Sequence, residues 1–265
     1  PGAYIYTAAG LKYFRPVFYS LPREKFSDFF YQIASFALLA INLLAMQAES
    51  SPVYCFSGLG ADFRIFSQLE IQHAQLHAVN WEMPMAGEAL PDFALRLAGQ
   101  ITHPNPVLLG VSFGGMLVTE IAKRLPHQKA IIISSCKARQ ELPWYFKAAG
   151  RLGLHKVVPY ESVTKVSALS RFIFDSRSKA EELYLKQMML RQTQVEFIRR
   201  SVNMILNWQN QVAPHDLIHI HGTKDRLLIP GPVKPTHWID GGGHFMVWNM
   251  AEMVSTIINR VLSEK

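Results

Sequence analysis

The sequence predicts an α/β fold class: a mostly parallel central sheet of about six strands, helices on both faces, and a helical cap. Three observations carry that expectation. Short apolar runs alternate with amphipathic stretches from residue 52 onward, as βα units do. Strand-like runs end in small, Gly-rich turns. The alternation breaks between residues 137 and 210, where helical patterning continues for longer than an ordinary connection.

Taken in order, PVYCFSG (52–58) reads as a short buried strand ending in glycine, and residues 62–69 as a short helix. A weaker strand, QLHAVNW (75–82), precedes an amphipathic helix at 91–101. PVLLGVS (106–112) is a strand running directly into a helix at 113–125, and KAIIISSC (129–136) is the next strand. Strand character returns at DLIHIHG (216–222) and THWID (236–240), and residues 250–262 form a closing helix. The expected organisation is an N-terminal extension at 1–48, a core at 49–136 and 211–265, and a cap insertion at 137–210.

With 265 residues, 49% of them apolar and 18% charged, the chain is large enough to fill a core. Cys55 and Cys136 lie in apolar runs with no metal-like spacing, and read as two buried, reduced thiols. The formal charge of +7 is concentrated in residues 137–210, with 13 Lys or Arg against 6 Asp or Glu. That surplus suits a solvated helical surface, or attraction of an anionic substrate. No zinc-finger, RRM-like, KH-like or Walker pattern accompanies it, so no nucleic-acid partner is expected.

Residues 29–48, FFYQIASFALLAINLLAMQA, carry no charge and are about long enough to cross a bilayer. Gln32, Asn42 and Gln47 weaken that reading, and the aromatic segment before the run is unlike a secretory leader. The expectation is a helix packed on the body of the protein or on a partner, with membrane association or homo-oligomerisation through this segment as alternatives. A cytoplasmic location is expected, a membrane-associated one being the alternative.

The chemistry centres on Gly110-Val111-Ser112-Phe113-Gly114, a G-x-S-x-G pattern. A nucleophile at the apex of a sharp strand-to-helix turn needs strained backbone angles, and side chains two positions away would collide with it. As letters alone the pattern arises by chance in about one such chain in ten. Here a strand ends at Ser112 and a helix begins immediately, while Gly115 lets that helix approach the sheet. The bland alternative is a serine that caps the helix.

A nucleophilic serine needs a base and a group that orients the base. Asp225 lies just beyond one expected strand and His244 beyond the next, so parallel topology collects them with Ser112 at one sheet edge. Asp240 is the rival acid. His221, on its strand, reads as structural, and His237 as exposed. Oxyanion donors are expected from the Phe113 N–H and from the exit loop of the first strand, where Leu59 is the candidate. That loop, GLGADF, has Phe63 where a dinucleotide-binding fingerprint needs its third glycine.

Through SGLG (57–60), GVSFGG (110–115), HGTKD (221–225) and GGGH (241–244), residues 52–265 resemble the α/β-hydrolase superfamily. The resemblance implies nucleophile, acid and base at Ser112, Asp225 and His244, and a cap that shapes the substrate pocket. It also implies a serine hydrolase acting on a carboxylic ester or thioester with an apolar portion, without metal or organic cofactor. Acyl transfer, a lyase reaction or a non-catalytic binding role are the alternatives on the same fold. Two departures stand out. Ser57-Gly58 replaces the common His-Gly pair, and no two antiparallel strands precede the first parallel one. Trp144, Tyr145, Phe146, Met188 and Met189 make the cap aromatic and Met-rich, which suits an apolar substrate or simple packing.

Overall fold

The structure, a computed structural model, describes residues 32–38, 50–153, 183 and 195–264. Its contacts divide the chain into two units, Pro1–Ser50 and Ser51–Lys265. In the first, residues 32–38 are helical, with Ile33, Phe36 and Leu38 exposed. The remainder of the 29–48 run lies outside the described residues. No helix among the described residues is long and apolar enough to cross a membrane.

The second unit is built on six strands: β1 (Ser51–Phe56), β2 (Ala74–Ala78), β3 (Val107–Val111), β4 (Lys129–Ile133), β5 (Leu217–Gly222) and β6 (His237–Ile239). Their order is β2-β1-β3-β4-β5-β6, and all five pairings are parallel. The helices with described bounds are α1 (Leu90–Ala98), α2 (Phe113–Ala122), α3 (Trp144–Leu152), α4 (Val195–Asn207), α5 (Met246–Asn249) and α6 (Ala251–Ser263).

Parallel strands covered on both faces must be apolar on both, and β3 is buried along its whole length. Alternate residues feed two cores. Tyr54, Phe56, Leu108 and Ile132 point to the face covered by α1 and α2, where Phe93, Leu97, Leu117 and Ile121 pack. Val53, Cys55, Leu109, Ile131 and Ile133 point to the other face, against Ile65, Phe66, Met246, Val254 and Ile258. Cys55 and Cys136 are free and buried, and burial pushes both thiols up. Every residue of α2 is buried, and its one charge, Glu120, is paired with Lys123 and Arg124.

The chain leaves β1 for β2 on one side, then returns to place β3 on the other. The C-terminal ends of β1 and β3 therefore flank a topological switch point, where a crevice opens. Several expected elements are shorter here. Residues 63–66 form a single 3-10 turn, with Asp62 capping it through the Arg64 N–H. The strand expected over 75–82 ends at Ala78, because Asn80 donates its N–H to the Gln100 side chain and Trp81 turns into the core. Within 137–210 the described residues form a 3-10 turn (Arg139–Glu141), α3 and α4, with no strand among them. Most of the expected cap, Met188 and Met189 included, lies outside the described residues.

Candidate active site

Ser112 sits between β3 and α2 with φ 54° and ψ −117°, a conformation that costs a non-glycine residue free energy and needs its surroundings to enforce it. Those surroundings are tight. A Cβ on Gly110 would lie 2.5 Å from the Gly114 carbonyl oxygen, and one on Gly114 would lie 2.1 Å from that of Phe56. A Cβ on Gly115 would meet the Ser135 hydroxyl at 2.5 Å. That hydroxyl donates to the Ser112 carbonyl at 2.6 Å, and the Ser112 N–H donates to the Ile133 carbonyl at 2.9 Å. The bend is thus braced from β1, β4 and its own helix.

Although Ser112 stands at the N-terminus of α2, its hydroxyl caps nothing there. It meets His244 Nε2 at 3.0 Å instead. His244 Nδ1 lies 2.8 Å from Asp225 Oδ2. Asp225 Oδ1 accepts the main-chain N–H groups of Leu227 (2.9 Å) and Leu228 (2.8 Å). With Asp225 ionised, the His244 proton sits on Nδ1 and the Nε2 lone pair faces the serine hydroxyl.

Burial alone raises the Asp225 carboxyl, but the charge and N–H of His244, nearby His221 and the Leu228 N–H together hold it below its ordinary value. Asp225 and His244 are brought together by backbone. A Cβ on Gly222 would sit 2.1 Å from the Gly242 oxygen, and the Lys224 N–H donates to that same carbonyl at 2.8 Å. Only bare main chain lets the β5 and β6 exit loops touch.

Leu59 lies in the β1 exit loop, and a Cβ added to its neighbour Gly58 would lie 3.5 Å from the Ser112 Cβ. Phe113, the first residue of α2, has no intrahelical acceptor for its N–H. Neither the Leu59 nor the Phe113 N–H finds an acceptor among the described residues. Ser57 braces this loop: its hydroxyl donates to the Ala61 carbonyl at 2.9 Å, and Trp81 Nε1 donates to the same oxygen at 2.8 Å. Beside this loop, Trp81 stacks on Phe113 (5.6 Å, 18°) and meets Phe197 of α4 edge-on at 5.4 Å.

The other sequence candidates fall elsewhere. Asp240 is exposed and accepts from the Thr223 hydroxyl at 3.0 Å. His237 is half-buried, where exposure was expected, and its Nδ1 meets the neighbouring Thr236 hydroxyl. His221 is fully buried on β5, with Nε2 2.9 Å from the Leu228 carbonyl and 3.6 Å from Asp225 Oδ2. Tyr145 of α3 donates its hydroxyl to the Leu227 carbonyl at 2.5 Å. Sequence reasoning missed Ser135, placing it inside a strand, and missed the Trp81 wall. A polar Ser-Ser pair closing an isoleucine run was the available signal for the first. Among the described residues no three His, Cys, Asp or Glu side chains are grouped to hold a metal.

A scan of family models and a search of curated proteins gave no match. Solved structures do match. A thermophilic esterase from Thermogutta terrifontis is 17% identical over 80% of this chain and 89% of its own, with a TM-score of 0.60. A hydrolase from Pseudomonas aeruginosa is 12% identical over 82% and 91%, TM-score 0.63. An epoxide hydrolase of the α/β-hydrolase superfamily, from metagenomes of hot environments, is 13% identical over 82% and 92%, TM-score 0.55. At these identities the likeness is one of fold, and with the six-stranded parallel sheet it establishes that this chain has the α/β-hydrolase fold.

Proposed function

We propose that this protein is a serine hydrolase that cleaves a carboxylic ester or thioester through an acyl-enzyme intermediate. The observation that carries the reading is His244 hydrogen-bonded on one side to Asp225 and on the other to Ser112. In this mechanism His244 Nε2 takes the Ser112 proton as Oγ bonds to the substrate carbonyl carbon. The resulting oxyanion is held by the Leu59 and Phe113 N–H groups. His244 then passes its proton to the leaving group, and water, deprotonated by the same imidazole, releases the acid.

The apolar portion of the substrate rests in this reading on half-buried Trp81, backed by the buried rings of Phe93, Phe113 and Phe197. Of the expected cap, the described helix α3 contributes Tyr145, which ties it to the turn that carries Asp225. A fluorophosphonate probe tests the proposal. The wild-type protein is expected to be labelled at Ser112, with labelling lost in Ser112→Ala and strongly slowed in His244→Ala. Hydrolysis of p-nitrophenyl esters and acyl thioesters should disappear in step. Undiminished labelling of Ser112→Ala, or ester turnover independent of Ser112, would overturn it.

A further inference from the structure

His221 is a second imidazole at the acid, and the catalytic steps above make no use of it. Its ring is 0% exposed, held edge-on by His219 at 5.2 Å (87°) and by Trp238 at 5.8 Å (88°). Two oxygens face Nε2: the Leu228 carbonyl at 2.9 Å and Asp225 Oδ2 at 3.6 Å. Nδ1 has no partner among the described residues. A neutral ring with its single proton on Nε2 is the state that satisfies these neighbours, since a proton on Nδ1 would have nothing to meet and would leave three acceptors facing one another.

That donor acts on the residue whose own N–H binds the acid. The Leu228 N–H binds Asp225 Oδ1 at 2.8 Å, while the Leu228 carbonyl is gripped by His221. The Leu227 N–H on the same carboxylate oxygen belongs to the same turn, and its carbonyl is held by Tyr145. Asp225 is therefore oriented by two N–H groups whose own positions depend on what holds their turn. His221 holds it from inside the sheet, on the side where Asp225 meets His244.

We propose that His221 is a positioning residue of the Ser112–His244–Asp225 array, clamping the Leu228 carbonyl so that the turn carrying the Leu227 and Leu228 N–H groups holds Asp225 with Oδ2 toward His244. This role rests on the hydrolase reading above. It touches no substrate atom, so its effect belongs in kcat and not in KM. Glutamine is the informative replacement, because its amide NH2 reaches about as far as a histidine Nε2 and donates as it does. Phenylalanine keeps the ring and removes the donor.

The experiment is steady-state hydrolysis of p-nitrophenyl butyrate by wild type, His221→Phe and His221→Gln, with fluorophosphonate labelling and thermal midpoints measured on the same preparations. His221→Phe should lower kcat about tenfold, the equivalent of one orienting hydrogen bond, with KM changed less than about twofold. His221→Gln should recover most of the loss. Wild-type kcat in His221→Phe, or an equal loss in both variants, would overturn the role. If the phenylalanine protein does not fold, His221→Met against His221→Gln repeats the comparison with two flexible side chains of similar size. A wild type that is not labelled at Ser112 removes the hydrolase reading and this role with it. Normal labelling with an unaffected His221→Phe overturns this role alone.

Discussion

Asp225 divides its two oxygens between different tasks. Oδ1 is occupied by the Leu227 and Leu228 N–H groups, which fix the carboxylate plane, and Oδ2 is left for His244. An amide at this position can present NH2 to His244 Nδ1, which then becomes the acceptor and moves the ring proton to Nε2, where Ser112 needs a lone pair. Asp225→Asn should therefore lower kcat by roughly 10³- to 10⁴-fold while the protein still folds. The rival carboxylate makes the control: Asp240 is exposed and, among the described residues, bonds the Thr223 hydroxyl alone. Asp240→Asn should stay within about threefold of wild type, as surface substitutions do. A large loss at Asp240 with a small one at Asp225, read by ester turnover, would reassign the acid.

At the scale of elements, the site depends on how closely bare backbone approaches bare backbone. Gly222 ends β5 and touches Gly242 in the β6 exit loop, so an added Cβ, 2.1 Å from a carbonyl oxygen, has to push the two loops apart. One loop carries Asp225 and the other His244. A displacement of about 1 Å is enough to cost on the order of 100-fold in rate, and Gly222→Ala should show a loss of that order with a lowered thermal midpoint. Gly231, with open space where its Cβ would be, should tolerate alanine with activity unchanged; equal behaviour of the two variants would refute this account. Such approaches explain what the sequence makes legible. The meeting of Ser112, Asp225 and His244 was readable because each closes or follows an apolar run, and parallel strands deliver their ends to one edge. Ser135 was not, since Ser134 leaves the strand at φ 47° while its N–H still donates to the neighbouring Ile220 carbonyl. Trp81 read as the end of a strand, yet it turns inward to stack on Phe113, a contact with a residue thirty-two positions away that no local pattern encodes. The helical reading of 29–48 meets the structure only at 32–38.

For the whole molecule, two buried imidazoles on one strand make stability depend on pH. His219 and His221 are both 0% exposed. Burial pushes His219 well below its ordinary value, with His221 and Lys137 adding to the effect and the Ser135 main chain opposing it. Burial also lowers His221, partly offset by Asp225 and the Leu228 carbonyl, with His244 lowering it further. In the unfolded chain both rings titrate near their ordinary value, about 6.5. Below that pH the unfolded state binds more protons than the folded one, so acid favours unfolding. Stability is complete above about pH 6.5 and declines as pH falls toward the folded-state values, at up to about 1.4 kcal/mol per pH unit for each histidine. Asp225 adds the same sign of dependence at lower pH. Its folded value is depressed, so its contribution is present above the unfolded carboxylate range and is lost as pH falls through the folded value. The thermal midpoint should therefore be level between pH 8 and about 6.5 and then fall toward pH 5, before any carboxylate is titrated. His219→Leu, which keeps the position apolar and leaves Glu141 its N–H donors from Lys137 and Lys234, should make that descent shallower. A wild-type midpoint that stays level to pH 5, or an unchanged slope in His219→Leu, would show that these histidines take up no excess protons on unfolding.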